Sequence, residues 1–164
     1  MTILVKQIIR DINLKNLSEC QKVASLLSSF VKTGDIITFT GNLGTGKTEF
    51  CRSLIHALGF HEEVPSPTFN LVQVYEHPMD NVRDVSIWHL DLYRLEKAED
   101  VFELGIEDAF DTAVTLIEWP DRMGPYLPED HLQFFLSMGD QEGERKLIIK
   151  GSEDWAKRLE NMKF

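Results

Sequence analysis

A stiff apolar run that leads directly into a glycine-rich loop is the feature that most constrains this chain. The run DIITFT is followed at once by GNLGTGKTEF. Its β-branched residues predict a buried central strand that ends at Thr40. The loop has the spacing G-x-x-x-x-G-K-[ST], with Gly41, Gly46, Lys47 and Thr48 at the defining positions. Because a helix-compatible segment follows, the pattern predicts a phosphate-binding site rather than an ordinary glycine-rich turn.

The residue types in the loop suit the phosphate chain of a nucleotide. Glycine accepts unusual dihedrals and close approach, so successive backbone N–H groups can surround the phosphates, and the helix that follows directs its own unpaired N–H groups to the same point. We expect Lys47 to reach the β- and γ-phosphates and the Thr48 hydroxyl to bind Mg²⁺. The predicted nucleotide-binding residues are Leu43, Gly44, Thr45, Gly46, Lys47, Thr48 and Glu49.

Two acidic residues follow apolar runs and are candidates for the catalytic and metal-binding acids. A P-loop hydrolase needs a carboxylate near the metal, at the end of a neighbouring strand. Asp91 lies in WHLDLYR, and Glu118 ends the run VTLIE. For either residue the alternative is a solvated carboxylate at a strand end. The sequence leaves open which of the two contacts Mg²⁺ and which orients water.

The segment between the loop helix and the next strand is a candidate switch. Ser66, Pro67 and Thr68 occupy the position at which P-loop hydrolases often carry a segment that senses the γ-phosphate. The alternative is a plain proline turn. Arg94 has two equally supported interpretations: it neutralises charge in the transition state, or it pairs with one of the many surface acids.

Hydrophobic periodicity predicts an α/β sheet with helices on both faces, a mainly parallel core and antiparallel edge strands. Strands are expected at residues 3–14, 35–40, 69–77, 85–94, 113–119, 132–139 and 145–151, the last two as a hairpin at an edge. Helices are expected from Asn16 or Ser18, from Lys47 to about Leu58 and from Glu153, and a charged helical stretch is expected over 95–111 with a break near Gly105. A turn is expected at 78–81.

Length and composition limit the remaining possibilities. With 164 residues, 43% of them hydrophobic, the chain is expected to form a single domain over residues 1–164. No apolar run is long enough to span a membrane, and the N-terminus lacks a secretory pattern, so a cytoplasmic protein is expected. A net charge of -10 without a basic cluster disfavours tight direct binding to nucleic acid. Cys51 is expected to be a small buried hydrophobe, and His61, His77 and His89 are too dispersed for a metal cluster.

Four motifs together resemble a known family. GNLGTGKT, SPTFNLV, HLDLYRL and LIEWP occur in the order and spacing of the bacterial TsaE family, also called YjeE, across roughly residues 15–125. The glycine loop alone is common to very many proteins. The combination of SPTF with H-x-DLYRL and IEW is far more specific, so the resemblance rests mainly on these motifs.

The resemblance implies a small P-loop ATPase, with ATP and Mg²⁺ as cofactors. The family is required for the threonylcarbamoyl modification of adenosine 37 in tRNA, where it supports turnover of a complex of TsaD and TsaB and reaches tRNA only through these partners. By motif match, Thr48 and Glu118 would contact Mg²⁺, Asp91 would be the other essential acid, and Thr68 would be the switch threonine. Trp119 would be functionally sensitive.

One position departs from the family pattern. Many relatives carry a threonine near Cys20, where the N-terminal helix approaches the nucleotide base, and a thiol does not hydrogen-bond as a hydroxyl does. Two other function classes remain open: a small-molecule kinase, and a docking module in which the nucleotide orders the SPTF loop without essential hydrolysis. The kinase is disfavoured because the seven arginines are spread thinly and form no Arg-rich lid.

Overall fold

A computed structural model of the protein describes residues 4–76, 78–79 and 84–164. The strands are β1 (Gln7–Leu14), β2 (Ile36–Thr40), β3 (Val72–Tyr75), β4 (Ile87–Asp91), β5 (Val114–Glu118), β6 (Leu132–Met138) and β7 (Arg145–Gly151). The α-helices are α1 (Leu17–Ser28), α2 (Lys47–Ala57), α3 (Ile106–Thr112) and α4 (Glu153–Arg158), and 3₁₀ segments span Ala98–Leu104 and Pro120–Tyr126. Part of the predicted turn at 78–81, and His77, lie outside the described residues.

Within the described residues the strands form one sheet in the order β1-β7-β6-β2-β5-β4-β3. Strands β4, β5, β2 and β6 run parallel, while β3 at one edge and β7 and β1 at the other are antiparallel to their neighbours. The predicted C-terminal hairpin is present, but β6 also pairs in parallel with β2 and therefore belongs to the parallel core. The edge beyond the hairpin is β1, which pairs with β7.

Helical segments cover the two faces of the sheet and bury separate apolar clusters. Helices α1, α2 and α4 pack in one cluster, where the rings of Phe39, Phe50 and Phe134 lie 5.0–5.7 Å apart between centroids. The 3₁₀ segments and α3 pack against β4 and β5 in the other cluster, around Leu90 and Ile117. Among the described residues, no helix combines the length and apolar character needed to cross a bilayer.

Local signals explain where the elements near the site begin and end. Asn16 caps α1, because its side chain accepts a hydrogen bond of 3.0 Å from the Glu19 N–H. Helix α2 ends just before Gly59, whose φ of 106° is favoured by glycine at this position. Strand β3 begins at Val72, three residues later than predicted from the apolar pattern. The reason is a turn in which the Leu71 N–H donates to the Pro67 carbonyl at 2.7 Å.

Candidate functional site

A cleft of about 380 Å³ lies where the carboxyl ends of β4 and β5 meet the start of α2. Ligands of open α/β sheets bind at this edge. Its lining is Leu43, Gly44, Gly46, Lys47, Thr48, Glu49, Arg52, Thr68, Asp91, Glu118 and Trp119. The structure therefore brings together all the predicted nucleotide-binding, catalytic and metal-binding residues except Thr45, whose side chain is buried and which lines a neighbouring cleft.

The glycines of the loop meet two different physical requirements. Gly44 and Gly46 have φ values of 81° and 100°, and an added Cβ would meet no atom within 4 Å at either position. These two residues hold a backbone conformation that glycine favours, beside open space. At Gly41 the requirement is steric instead, since an added Cβ would lie 2.4 Å from the Leu136 carbonyl oxygen on β6. Gly41 therefore permits close packing of the loop on the sheet.

Lys47 lies inside the loop, against an aromatic ring. Its ammonium group donates to the carbonyls of Gly41 and Asn42 at 2.7 and 2.8 Å, and lies 4.5 Å from the centroid of the Trp119 ring. Burial lowers the pKa of Lys47, and the Glu118 and Asp91 carboxylates act in the opposite direction. Trp119 has a φ of 59°, which is uncommon for a residue other than glycine. Such strained residues cluster at functional sites.

Glu118 is held by two hydrogen bonds from different elements. The Thr48 hydroxyl on α2 donates to Oε1 at 2.7 Å, and His89 Nε2 on β4 lies 2.7 Å from Oε2. Glu118 is only 1% exposed and His89 is fully buried. With Nε2–H as donor, the imidazole and the hydroxyl each bind one carboxylate oxygen, so the orientation of the carboxylate is defined at both ends.

Asp91 has partners of another kind. It is the register partner of Glu118 on the neighbouring strand. The Thr68 hydroxyl donates to Oδ2 at 2.9 Å, and the Tyr93 N–H donates to Oδ1 at 3.1 Å. Ser66 extends this network, because its hydroxyl lies 2.7 Å from that of Thr68. Asp91 thus connects the end of β4 to the irregular segment that the sequence identifies as a candidate switch.

These residues fit a magnesium nucleotide. The Thr48 hydroxyl and the Glu118 carboxylate are adjacent oxygen donors, the ligand type that Mg²⁺ prefers. Gly46 caps α2 without a side-chain hydrogen bond, so the first N–H groups of the helix have no side-chain cap and are directed toward the loop. A buried lysine completes a set of donors suited to an anionic phosphate chain.

The sequence patterns did not identify two arginines near the site, one that lines the cleft and one that contacts the loop. Arg52 lines the cleft one helical turn after Thr48, so helical periodicity could have placed it on the same face. Its guanidinium pairs with Glu49, and its Nε donates to the Val64 carbonyl at 3.0 Å. Arg145 comes from β7, and its Nε donates to the Thr45 carbonyl at 3.0 Å. No local pattern could have revealed this second contact, because it joins residues 100 positions apart.

A second cleft of about 320 Å³ adjoins the loop on the side of α1. Its lining is Asn16, Leu17, Cys20, Thr45, Gly46, Glu49, Gly143 and Arg145. Cys20 is therefore next to the phosphate loop, where the family resemblance predicts an approach to the nucleotide base. Burial raises the pKa of the Cys20 thiol, which keeps the side chain neutral in this position.

Three remaining predictions concern single side chains. Cys51 is fully buried, as predicted, and burial raises its pKa well above the ordinary value. Of the three histidines considered, His89 belongs to a buried group with Cys51 and Glu118, in which one potential ligand atom of each residue lies within 4.8 Å of the others. His61 is not part of this group, and His77 lies outside the described residues. The Arg94 guanidinium lies 4.5 Å from the centroid of the Phe69 ring. Arg94 thus packs on the candidate switch segment, an arrangement that neither interpretation had specified.

Comparison with known proteins gives one consistent result. Residues 14–147 match the family described as Threonylcarbamoyl adenosine biosynthesis protein TsaE. A Rickettsia felis protein named tRNA threonylcarbamoyladenosine biosynthesis protein TsaE is 37% identical over 142 residues, which cover 86% of this chain and 80% of the relative. A Bacillus subtilis protein of the same name is 35% identical over 139 residues, which cover 84% of each chain.

A solved structure has the same fold. The crystal structure of Bacillus subtilis YdiB aligns with a TM-score of 0.75 at 24% identity, over 97% of this chain and 94% of that one. This likeness confirms the predicted α/β sheet of the P-loop type, with its parallel core and antiparallel edges. The range that matches the family contains the glycine loop, Thr68, Asp91 and Glu118. The chain belongs to the TsaE family.

Proposed function

We propose that the protein is a Mg²⁺-dependent ATPase that serves the N6-threonylcarbamoyladenosine modification of tRNA. The pathway is supported by the family match and by the names of the relatives. The hydrolytic activity is supported by the site. The observation that carries it is the hydrogen bond of 2.7 Å between the Thr48 hydroxyl and Glu118, beside the phosphate loop.

In this proposal the loop and α2 bind the triphosphate. The N–H groups around Gly46 and the start of α2 face the β- and γ-phosphates, and the Lys47 ammonium exchanges its carbonyl partners for phosphate oxygens. Mg²⁺, held by Thr48 and Glu118, would neutralise charge on the same phosphates. These groups stabilise the charge that develops during transfer of the γ-phosphoryl group to water.

The second acid then orients the attacking water. Asp91 lies at the next strand end, and one of its oxygens already accepts the Thr68 hydroxyl. The carboxylate and the hydroxyl are both suited to holding a water molecule in line with the γ-phosphate. Because Thr68 belongs to the irregular segment before β3, its position couples the state of the nucleotide to the shape of the surface beside it.

The partners in this proposal are TsaD and TsaB, and tRNA is reached only through them. A net charge of -10 agrees with a protein that does not grip nucleic acid itself. Phe69 is 80% exposed beside Thr68 and offers a partner an apolar contact that responds to the nucleotide. Since partner-completed P-loop sites can gain ~10³–10⁵ in rate, we expect slow hydrolysis by the isolated chain. We place this activity in the cytoplasm, where tRNA is modified.

Phosphate release provides the test. Hydrolysis of ATP is measured with Mg²⁺ or EDTA, with and without TsaD and TsaB, and we expect Mg²⁺-dependent turnover that the partners increase. Lys47→Ala is the matched control, because it removes the phosphate contact and is expected to abolish nucleotide affinity while far-UV circular dichroism shows a retained fold. The absence of turnover in every condition would exclude the ATPase.

A docking module without essential hydrolysis is distinguished by a second measurement. The exposed Phe69 beside Thr68 is compatible with a nucleotide that merely orders a docking loop. Asp91→Asn is therefore assayed for tRNA modification over repeated turnovers of the assembled complex, because this change is expected to lower hydrolysis while Mg²⁺-coupled nucleotide binding is retained. Loss of modification together with hydrolysis supports the ATPase, whereas continued modification would show that binding alone suffices.

A further inference from the structure

We propose that His89 is a positioning residue that sets the carboxylate of Glu118 for magnesium binding. The inference rests on the proposed function, because it assigns Glu118 to the metal. The bond from His89 Nε2 to Oε2, at 2.7 Å, leaves Oε1 facing the Thr48 hydroxyl at 2.7 Å. The imidazole therefore holds one end of the carboxylate, and together with Thr48 it fixes which way the carboxylate plane faces.

Because His89 and Glu118 are both buried, the hydrogen bond between them can strongly restrict the orientation of the carboxylate. The side chains of His89 and Glu118 are 0% and 2% exposed, so neither exchanges its partner freely with solvent. The terminal torsion of a glutamate has a broad distribution, and a single hydrogen bond at one oxygen restricts it weakly. Two donors from different elements, α2 and β4, restrict it from both sides. Outer partners of this kind orient the groups that bind a metal.

The other imidazole nitrogen argues against a purely structural role. Among the described residues His89 Nδ1 has no hydrogen-bond partner, although it is buried. An unpartnered buried polar atom destabilises a fold, and an apolar side chain of similar volume would avoid that cost. The hydrogen bond from its Nε2 to Glu118 explains why an imidazole at this position is useful. Such local conflicts are expected at functional sites.

Strand alternation places His89 where this role requires it. His89 and Asp91 are two residues apart on β4, so their side chains share a face of the sheet, and Asp91 is the register partner of Glu118. The motif H-x-D thus places two residues with different roles at one site. Asp91 contacts the candidate switch segment, whereas His89 acts through Glu118.

A pair of substitutions separates the hydrogen bond from the rest of the side chain. The terminal amide nitrogen of glutamine is as many bonds from Cβ as imidazole Nε2, whereas that of asparagine corresponds to Nδ1. His89→Gln therefore retains a donor toward Glu118, and His89→Asn does not. For each variant, binding of a fluorescent ATP analogue is titrated with Mg²⁺ and in EDTA, and the Mg²⁺ concentration for half-maximal hydrolysis is measured.

We expect His89→Asn to raise the half-saturating Mg²⁺ concentration by about tenfold or more, the size seen when outer partners of metal ligands are removed. His89→Gln should remain within about threefold of the native protein, and binding in EDTA should be unchanged in both. Equal Mg²⁺ dependence in the two variants would overturn the positioning role. If the asparagine variant does not fold, His89→Leu supplies the donor-free comparison. A native protein whose nucleotide binding ignores Mg²⁺ would instead contradict the proposed function.

Discussion

Glu118 and Asp91 occupy equivalent positions at the site, but their hydrogen-bond partners differ in kind. Glu118 and Asp91 are register partners at the ends of adjacent parallel strands. The partners of Glu118 lie on regular elements, Thr48 on α2 and His89 on β4. Asp91 instead accepts from Thr68, in a segment without regular structure between Gly59 and β3. One acid belongs to the rigid framework, and the other is joined to a loop.

This difference suggests a division of labour within one cleft. A metal ligand requires a fixed geometry, which two donors from packed elements provide. A residue that senses the γ-phosphate requires a partner that moves when the phosphate leaves. In the proposed function two carboxylates therefore serve two tasks, and their hydrogen-bond partners decide which task each one has. Substitutions that separate metal coupling from hydrolysis test this comparison directly.

The largest effect is expected from Glu118→Gln. The change retains the shape but removes the charge beside Thr48, so Mg²⁺ loses its carboxylate ligand. Hydrolysis should fall by about 10³-fold, the upper range for loss of one group that stabilises developing charge. Phosphate release and analogue binding measure the effect, and Mg²⁺ should no longer improve binding. A variant that keeps normal Mg²⁺-coupled binding would remove Glu118 from the metal site.

A smaller effect of another kind is expected from Asp91→Asn. The amide oxygen can still accept the Thr68 hydroxyl, but it cannot orient water as a carboxylate does. Hydrolysis should fall by about 10²-fold, while Mg²⁺ should still improve binding of the fluorescent ATP analogue. The two acids are thereby distinguished in one assay. If Asp91→Asn abolished the Mg²⁺ effect as completely as Glu118→Gln, the division between them would be wrong.

The smallest effect is expected from Thr68→Val, which removes one hydroxyl at nearly constant shape. Loss of a hydrogen bond to a charged group costs roughly 1.5–3 kcal/mol. Because this bond already exists before hydrolysis, only about 1.5 kcal/mol of that cost is expected in the barrier, and hydrolysis should fall by about tenfold. Limited proteolysis should also cut the segment around Phe69 faster, since its tie to Asp91 is gone. Thr68→Ser keeps the hydroxyl and serves as control. Unchanged proteolysis and hydrolysis in the valine variant would leave the segment without a switch role.

Gly41 illustrates where sequence-based prediction succeeds for a different reason than expected. The loop pattern correctly indicates that residue 41 must be glycine. From the sequence alone, the reason would be close approach of the backbone to a phosphate. In the structure the constraint comes from the Leu136 carbonyl on β6. The pattern contains no information about β6, because that strand is far along the chain and reaches the loop only through parallel pairing with β2.

The predicted strand ends near the two acids show the same limit. The expected strand 113–119 exceeds β5 by only one residue at each end, because burial on both faces leaves a continuous apolar pattern in VTLIE. The apolar run after Thr68 does not reveal that β3 begins only at Val72, since the turn depends on the Pro67 carbonyl accepting from the Leu71 N–H. Short strands at an edge have little pattern from which to locate their ends.

The sequence by itself determined the glycine loop, the order of the main elements and the family, since these depend on contiguous residues whose dihedral preferences and periodicity are local. Only the tertiary structure decided the partners of each acid. Thr48 and Glu118 are 70 positions apart, and Thr68 and Asp91 are 23 apart. Sheet order and helix packing bring such residues together through many weak contacts distributed over the whole core, and no short stretch of sequence contains that information.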